Sequence, residues 1–325
     1  MESKNRTIVT EIIILGFAEI QGLKGFLFGL FMVIYVMTVL ENVIILAVIK
    51  DNGLSHAPMY FFLSNFSSLE ILYTTVTVPK MLENMLSKSK RISLSGCIAQ
   101  VYLFVSFVSI EYFLLAVMAY DRYIAICNPL HYSTIMTSKV CSILAFTCWF
   151  CGFLSTVVSI ILISQLDFCG PNVINHFFCD ISPLISLACE DIRVVEITDF
   201  IAAMIVLLSS VVITVISYTY IICTILRIPS KAGRKKAFST CASHLVVVLI
   251  FYITTIFTYA RPQAIHSFDL NKFVSALYSI VTPMFNPFVY TLRNKDVKDA
   301  LRRSIAKLKM SLMFKRPSVF INRIK

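Results

Sequence analysis

The sequence predicts an all-α membrane protein, a seven-transmembrane helix bundle followed by a short cytoplasmic amphipathic helix. Three observations carry that expectation. Of its 325 residues, 58% are hydrophobic and 14% charged, against about 25% charged in a soluble domain. The apolar residues gather into long runs, each near the roughly 20 residues that cross a bilayer as a helix. The surplus of bases, +11 overall, collects after the fifth and seventh runs, where it sets topology and calls for no nucleic-acid partner.

The runs, in order, are Phe26–Ile49, Met59–Leu82, Ile98–Ile126, Val140–Leu166, Ile197–Leu226, Phe238–Ala260 and Phe273–Leu292. All are too long and too continuously apolar for barrel strands, which alternate over about 10 residues. Backbone groups in hydrocarbon must pair within their own segment, so each run is read as a helix. Polar residues interrupt the second and seventh, the weakest by hydropathy. Ahead of the first run, the patch Ile12–Phe17 follows Glu11 and has no clear cleavage site, so the first span itself is expected to direct insertion. The expected organisation is an extracellular N-terminus over 1–25, a transmembrane domain over 26–292 and a basic cytoplasmic tail over 293–325.

Charge sets the orientation. Arg227, Lys231, Arg234, Lys235 and Lys236 follow the fifth span with no acid among them. The tail holds eleven bases against Asp296 and Asp299, a net of about +9. The connection of roughly 30 residues from Asp167 to Glu196 carries five acids instead. The positive-inside rule places the basic segments in the cytoplasm, and an odd number of spans leaves the N-terminus outside. Lys88, Lys90 and Arg91 are a mild exception. Asn5-Arg6-Thr7 is a glycosylation sequon on the outer side; Asn65-Phe66-Ser67 falls within the second span and is unusable. Lys295–Leu308 places Val297, Ala300, Leu301, Ile305 and Leu308 near one face and bases on the other. That pattern suits a helix lying on the anionic leaflet; a disordered basic tail is the alternative.

Of ten cysteines, Cys97, Cys169, Cys179 and Cys189 fall on the oxidising side. Four cysteines allow three pairings, and the even count favours disulfides over free thiols. Cys148 and Cys151 have a metal-type spacing but lie in an apolar run without histidine partners. No metal or cofactor is expected. No HExxH, GxSxG or Gly-rich phosphate loop is present, which argues against an enzyme. A transporter or channel is the principal rival, although no repeated halves are evident.

Polar residues inside a membrane are costly and mark function or packing. Asn42, Glu70, Glu111 and Asn286 stand in the first, second, third and seventh spans, where they could converge. Two carboxylates there would share a proton or a cation; simple helix–helix hydrogen bonding is the alternative. The third span ends in Asp121-Arg122-Tyr123. Asp121 can hold the Arg122 guanidinium, and its release would free a cation for a partner. The seventh ends Asn286-Pro287-Phe288-Val289-Tyr290. Pro287 removes a helix hydrogen bond, which lets Tyr290 swing between two packings.

Those two motifs, with Pro58 to Asn65, Met118 to Cys127, Ser217-Tyr218, Lys236 to Leu245 and Pro283 to Asn294, resemble the signatures of the rhodopsin-like G-protein-coupled receptors, and within them the odorant receptors. The resemblance runs from about Leu54 to Asn294, and the long cysteine-rich loop is similar to the tetrapod-type class. Three positions depart: Glu41 replaces a glycine, Glu70 an aspartate and Phe285 a leucine. The first two make inference of a cation site less secure.

The resemblance implies Cys97–Cys179 and Cys169–Cys189 disulfides and a plasma-membrane receptor that binds an odorant and activates a stimulatory G protein to raise cAMP. It implies a ligand site in the outer half of the bundle: Phe104, Val105, Val108 and Ser109 on the third helix, Ala202, Ala203, Val206 and Leu207 on the fifth, Tyr252, Thr255 and Tyr259 on the sixth, Ala276 and Ser279 on the seventh. This set is apolar with a few hydroxyls and suits a small, largely uncharged ligand. Amine receptors usually place an aspartate where Phe104 stands, so a cationic amine is disfavoured. Asp121, Arg122, Tyr123, Tyr218, His244, Asn286, Pro287 and Tyr290 are the implied activation switch. His244 is expected to brace the inactive state against the third helix, or else to be a satisfied core histidine.

Overall fold

The computed structural model describes residues 9–16, 21–87, 89–169, 171–259, 279–280, 282–286 and 298–303. Six long helices dominate them. We label these α1 (Lys24–Asp51), α2 (Pro58–Leu86), α3 (Leu94–Cys127), α4 (Ser138–Ser164), α5 (Arg193–Arg227) and α6 (Lys231–Tyr259). By length and apolarity alone, α1, α3, α4 and α5 qualify as membrane spans. α2 and α6 are each 29 residues long but more polar. Residues 279–280 and 282–286 are helical and belong to the seventh expected span. The remainder of Phe273–Leu292 lies outside the described residues, as do Asn5, Ala276, Pro287 and Tyr290.

The surface is inverted relative to a soluble protein. Phe26, Phe146 and Phe200 are exposed by 67%, 69% and 66%. Asn42, Glu70, Glu111, Asp121 and Asn286 are meanwhile buried. An apolar exterior around a polar core is stable only in lipid. α3 is the central helix, with 67% of its most apolar stretch buried against 22–28% for α1, α4 and α5.

The helices start earlier than the apolar runs because local chemistry, not hydropathy, sets their ends. Ser93 accepts from the Gly96 amide at 3.1 Å and begins α3 at Leu94, not Ile98. Pro58 opens α2 at a position where a missing amide costs nothing. Gly53, at φ +63°, makes the turn between α1 and α2. α6 starts at Lys231, so the bases Arg234 to Lys236 form its first turns and not a loop. Glu196 likewise lies in the first turn of α5.

The apolar patch before α1 is a strand, β1 (Glu11–Ile14). It pairs antiparallel with β2 (Arg91–Ser93) and parallel with β3 (Val173–Ile174), which lies in the long connection. Ile12 and Ile14 are fully buried against Cys97, Cys179, Ile174 and Leu184. Two of the three bases that were an exception to the charge rule serve this sheet, and the third, Lys88, lies outside the described residues. Arg91 pairs with Glu11 at 3.0 Å, and the Lys90 ammonium donates to the Leu15 carbonyl at 2.8 Å. Burial and the neighbouring Lys24 hold the Lys90 ammonium below its ordinary pKa. Residues 298–303 are helical, with Ala300 buried and Arg302 and Arg303 exposed; the rest of Lys295–Leu308 lies outside the described residues.

α3 and α4 touch at Gly152, where an added Cβ would stand 2.2 Å from Ile110 Cγ1. The seam is fastened by a 2.7 Å hydrogen bond between Ser106 and Thr156. The lone tryptophan, Trp149, donates from Nε1 to Asn65 Oδ1 at 3.2 Å and ties α4 to α2.

Candidate functional site

At one end of the bundle the long connection folds down onto α3. Cys97 and Cys179 are disulfide-bonded with Cα atoms 5.5 Å apart, and Cys169 and Cys189 are bonded with Cα atoms 5.7 Å apart. Gln100 accepts from the Cys179 amide at 2.9 Å and donates to the Val76 carbonyl of α2 at 2.7 Å. This double clamp fixes Phe178, whose ring lies 4.6 Å from Phe104. On its other side Phe104 stacks on Tyr73 of α2 at 5.2 Å. Phe104, Val108 and Ser109 are buried and Val105 half-buried. The Ser109 hydroxyl donates to its own helix, at the Val105 carbonyl.

Across the bundle, Val206 of α5 is buried, with Ala202, Ala203 and Leu207 half-buried beside it. Tyr252 of α6 is buried, and its hydroxyl meets Ser210 at 2.9 Å and Thr214 at 3.2 Å. Its ring stacks on Tyr112 of α3 at 5.8 Å. Tyr252 is therefore a clasp between α5 and α6 as well as a candidate ligand contact. Thr255 and Tyr259 lie further along α6, and Ser279 is buried.

Deeper in the bundle three of the four polar residues meet. The Asn286 amide donates to Glu70 Oε1 at 2.5 Å and to Glu111 Oε1 at 3.5 Å. All three are at most 5% exposed, and Glu70 Oε2 makes no hydrogen bond. One neutral amide cannot neutralise two carboxylates, so the site calls for a proton or a cation. Asn42 donates to Thr38 of its own helix, and its Oδ1 has no partner. Among the described residues, no group of three His, Cys, Asp or Glu could hold a metal.

At the opposite end Asp121 Oδ2 lies 3.8 Å from Arg122. The other carboxylate oxygen accepts from the Tyr132 hydroxyl at 2.8 Å. Burial and the Asp121 carboxylate push the Tyr132 phenol pKa up, which keeps it a donor. Tyr218 meets His244 Nδ1 at 2.7 Å with near-parallel rings, joining α5 to α6. The Tyr123 ring lies 5.6 Å from Tyr220 of α5. Phe104 and Arg122 stand eighteen residues apart on one unbroken helix, about 27 Å along its axis.

Sequence reasoning missed Tyr73, Gln100, Phe178, Tyr112, Ser210 and Thr214 around the outer site, and Tyr132 at the other end. Three consecutive rings, His176-Phe177-Phe178, directly before Cys179 were a legible signal for a cap. Gln100, one turn after Cys97, was a weaker one.

The olfactory receptor family profile matches residues 31–308. The chain is 52% identical to human olfactory receptor 6B1 over 303 residues, 93% of this chain and 97% of that one. It is 50% identical to human olfactory receptor 6Y1 over 305 residues, 94% of each. It is also 50% identical to rat olfactory receptor 226 over 310 residues, 94% of this chain and 95% of the rat protein.

Proposed function

The chain belongs to the olfactory receptor family, a multi-pass receptor of the plasma membrane and not an enzyme, and on that premise we propose that it binds a small, mostly apolar odorant in the outer half of its bundle and activates a stimulatory G protein to raise cAMP. The N-terminus faces outward, with Asn5 as its glycosylation site, and the basic segments face the cytoplasm. The observation that carries the reading is a single helix, α3, that holds Phe104 under the Phe178 cap and Arg122 beside Asp121.

Phe104, Val108 and Val206 supply apolar contact, and Tyr252 and Ser109 supply the few polar ones. A ligand switches the receptor only by binding one conformation better than another. The Tyr252 clasp links the ligand site to the relative placement of α5 and α6. At the cytoplasmic end the Tyr218–His244 contact joins the same two helices. Opening them would free Arg122 to meet the G protein, while Tyr290 and Pro287 let the seventh helix repack. The Glu70–Glu111–Asn286 group is a proton- or cation-linked brace between α2, α3 and the seventh helix. The test is a diverse odorant panel on cells carrying a cAMP reporter, with and without the stimulatory G protein. A ligand-evoked, G-protein-dependent signal supports the reading; ion flux in a G-protein-free bilayer would sink it.

A further inference from the structure

The N-terminal strand is built into the roof of the outer site, yet the signalling path from Phe104 to Arg122 makes no use of it. β1 is the central strand of its sheet, between β2 and β3. β2 runs directly into α3 at Leu94, and the Leu94 amide donates to the Thr10 carbonyl at 2.9 Å. β3 belongs to the stretch that descends to Cys179 and its bond with Cys97. β1 therefore fastens that stretch to the outer end of α3. Among the described residues, β2 and β3 are joined as strands only through it.

The bonds continue past the strand toward the cap. The Ile13 amide donates to the Asn172 carbonyl at 2.7 Å, Leu15 to Ile174 at 3.0 Å and Gly16 to His176 at 2.9 Å. The Asn172 side chain donates back to the Glu11 carbonyl at 2.7 Å. His176 is buried, and its Nδ1 lies 3.1 Å from the Phe178 carbonyl oxygen. The His176 and Phe178 rings meet edge to face at 4.6 Å, and Phe178 in turn lies against Phe104. Phe178 is thus held from two sides. The Cys179 disulfide and Gln100 fix it from one, and β1 fixes it from the other through His176.

The strand is anchored at its middle and aimed at its end. Ile12 and Ile14 are fully buried in the cluster that contains Cys97 and Cys179. Gly16 follows at φ +62°, a left-handed conformation that glycine adopts readily and a β-branched residue does not. A Cβ there would meet nothing within 4 Å. The position therefore demands a backbone conformation and not a small side chain, and that conformation points the Gly16 amide at the His176 carbonyl.

We propose that β1 is a positioning strand of the odorant site: through Gly16 and His176 it sets Phe178 against Phe104, and with it the affinity for odorant. The proposal rests on the outer half of the bundle being the ligand site. Dispersion contact is steep, so a roof ring lifted by about 0.5–1 Å forfeits roughly a quarter to a half of the attraction at each touching atom. Loosening β1 weakens binding while leaving Arg122 and its neighbours in place.

The test compares wild type, Gly16→Val, Gly16→Asn and Asn172→Ala as purified full-length receptors in nanodiscs. Hydrogen exchange reads the opening of residues 172–178 without ligand. Thermal stabilisation reads binding of a panel of hexyl to decyl alcohols, aldehydes, ketones and acids and their aromatic counterparts. Cells at matched surface density supply the cAMP response. Gly16→Val should speed exchange at 172–178 and weaken the best-binding probe about tenfold, with basal cAMP and the maximal response at saturating probe unchanged. Asparagine tolerates the left-handed conformation, so Gly16→Asn should match wild type. Asn172→Ala removes one bond and should weaken the probe about threefold; it carries the comparison if Gly16→Val does not fold. Probe affinity unchanged in Gly16→Val and Asn172→Ala would overturn the proposal and reduce β1 to a structural anchor, even if exchange at 172–178 were faster. Equal losses in Gly16→Val and Gly16→Asn would overturn it too. Those outcomes leave the outer site standing as the ligand site, whereas failure of every probe to stabilise wild type would reject that reading and the strand's role together.

Discussion

Gly152→Ala tests the packing that positions both ends of α3. The added Cβ meets Ile110 Cγ1 at 2.2 Å, Ile110 N at 2.9 Å and Ile110 Cα at 3.2 Å. Ordinary contact needs about 3.5–4.0 Å. A rotamer change can move Cγ1, but the amide nitrogen and Cα belong to the α3 backbone. α3 and α4 must therefore separate by roughly 0.5–1 Å, and overpacking of this kind costs about 1–3 kcal/mol. The same movement stretches the 2.7 Å Ser106–Thr156 bond beyond useful length, for about 1 kcal/mol more. The total is about 2–4 kcal/mol, which lowers Tm by several degrees in nanodiscs and depresses surface expression. Gly29→Ala is the control, since nothing lies within 4 Å of a Cβ there. Intrinsic helix propensity favours alanine over glycine by about 0.8–1 kcal/mol, so the control is neutral or stabilised. Ile110→Ala should partly rescue Gly152→Ala, because it removes the nearest atom and leaves the backbone contact. If Gly152→Ala melted with Gly29→Ala, the close approach of α3 and α4 at this glycine would be wrong.

Other perturbations follow from the same contacts. Cys179→Ser opens the bond that tethers the cap to α3 and should cost about 2–5 kcal/mol, abolishing surface expression; normal trafficking and response in the mutant would refute the tether's role. Tyr252→Phe removes two hydroxyl contacts to α5, so agonist dose–response curves should shift, whereas identical potency for every active odorant would remove Tyr252 from both the ligand site and the clasp. Asn286→Leu leaves Glu70 and Glu111 facing each other with no donor between them and should lower receptor stability by about 2 kcal/mol or more; adding Glu70→Gln should restore part of it, and additive losses in a double-mutant cycle would show that the two do not interact. Tyr132→Phe deprives Asp121 of its hydroxyl donor and should alter basal cAMP at matched surface level, a measurement that would read no change if the Tyr132–Asp121 bond were incidental.

Much of the architecture was written in the sequence because lipid imposes a coarse requirement. Long apolar runs had to be helices, and α1 and α3 to α5 appear within a few residues of the runs that announced them. Their ends were less legible, because caps such as Ser93 and Thr137 act through one hydrogen bond that hydropathy does not register. β1 escaped notice for a different reason. Four residues too short for a span or a lone hairpin become a strand only when β2 and β3 arrive from distant parts of the chain. The polar positions Glu70, Glu111 and Asn286 were singled out by their cost in a membrane, and the structure brings them together. Asn42 shared that cost but turns back on its own helix, donating to the Thr38 carbonyl while its Oδ1 has no partner. Partners such as Tyr73, Gln100 and Tyr132 were invisible, since a tyrosine or glutamine carries no unusual cost until its neighbour is known.

The central claim is that α3 couples an odorant site under the Phe178 cap to a G-protein switch at Arg122. The most direct measurement compares odorant-evoked cAMP in cells expressing wild type, Phe104→Ala and Arg122→Ala at equal surface density, paired with thermal stabilisation of each purified receptor by the same odorant. The account predicts that Phe104→Ala loses both binding and signal, and that Arg122→Ala keeps binding and loses signal. Undiminished cAMP from Arg122→Ala, or full ligand stabilisation of Phe104→Ala, would contradict it.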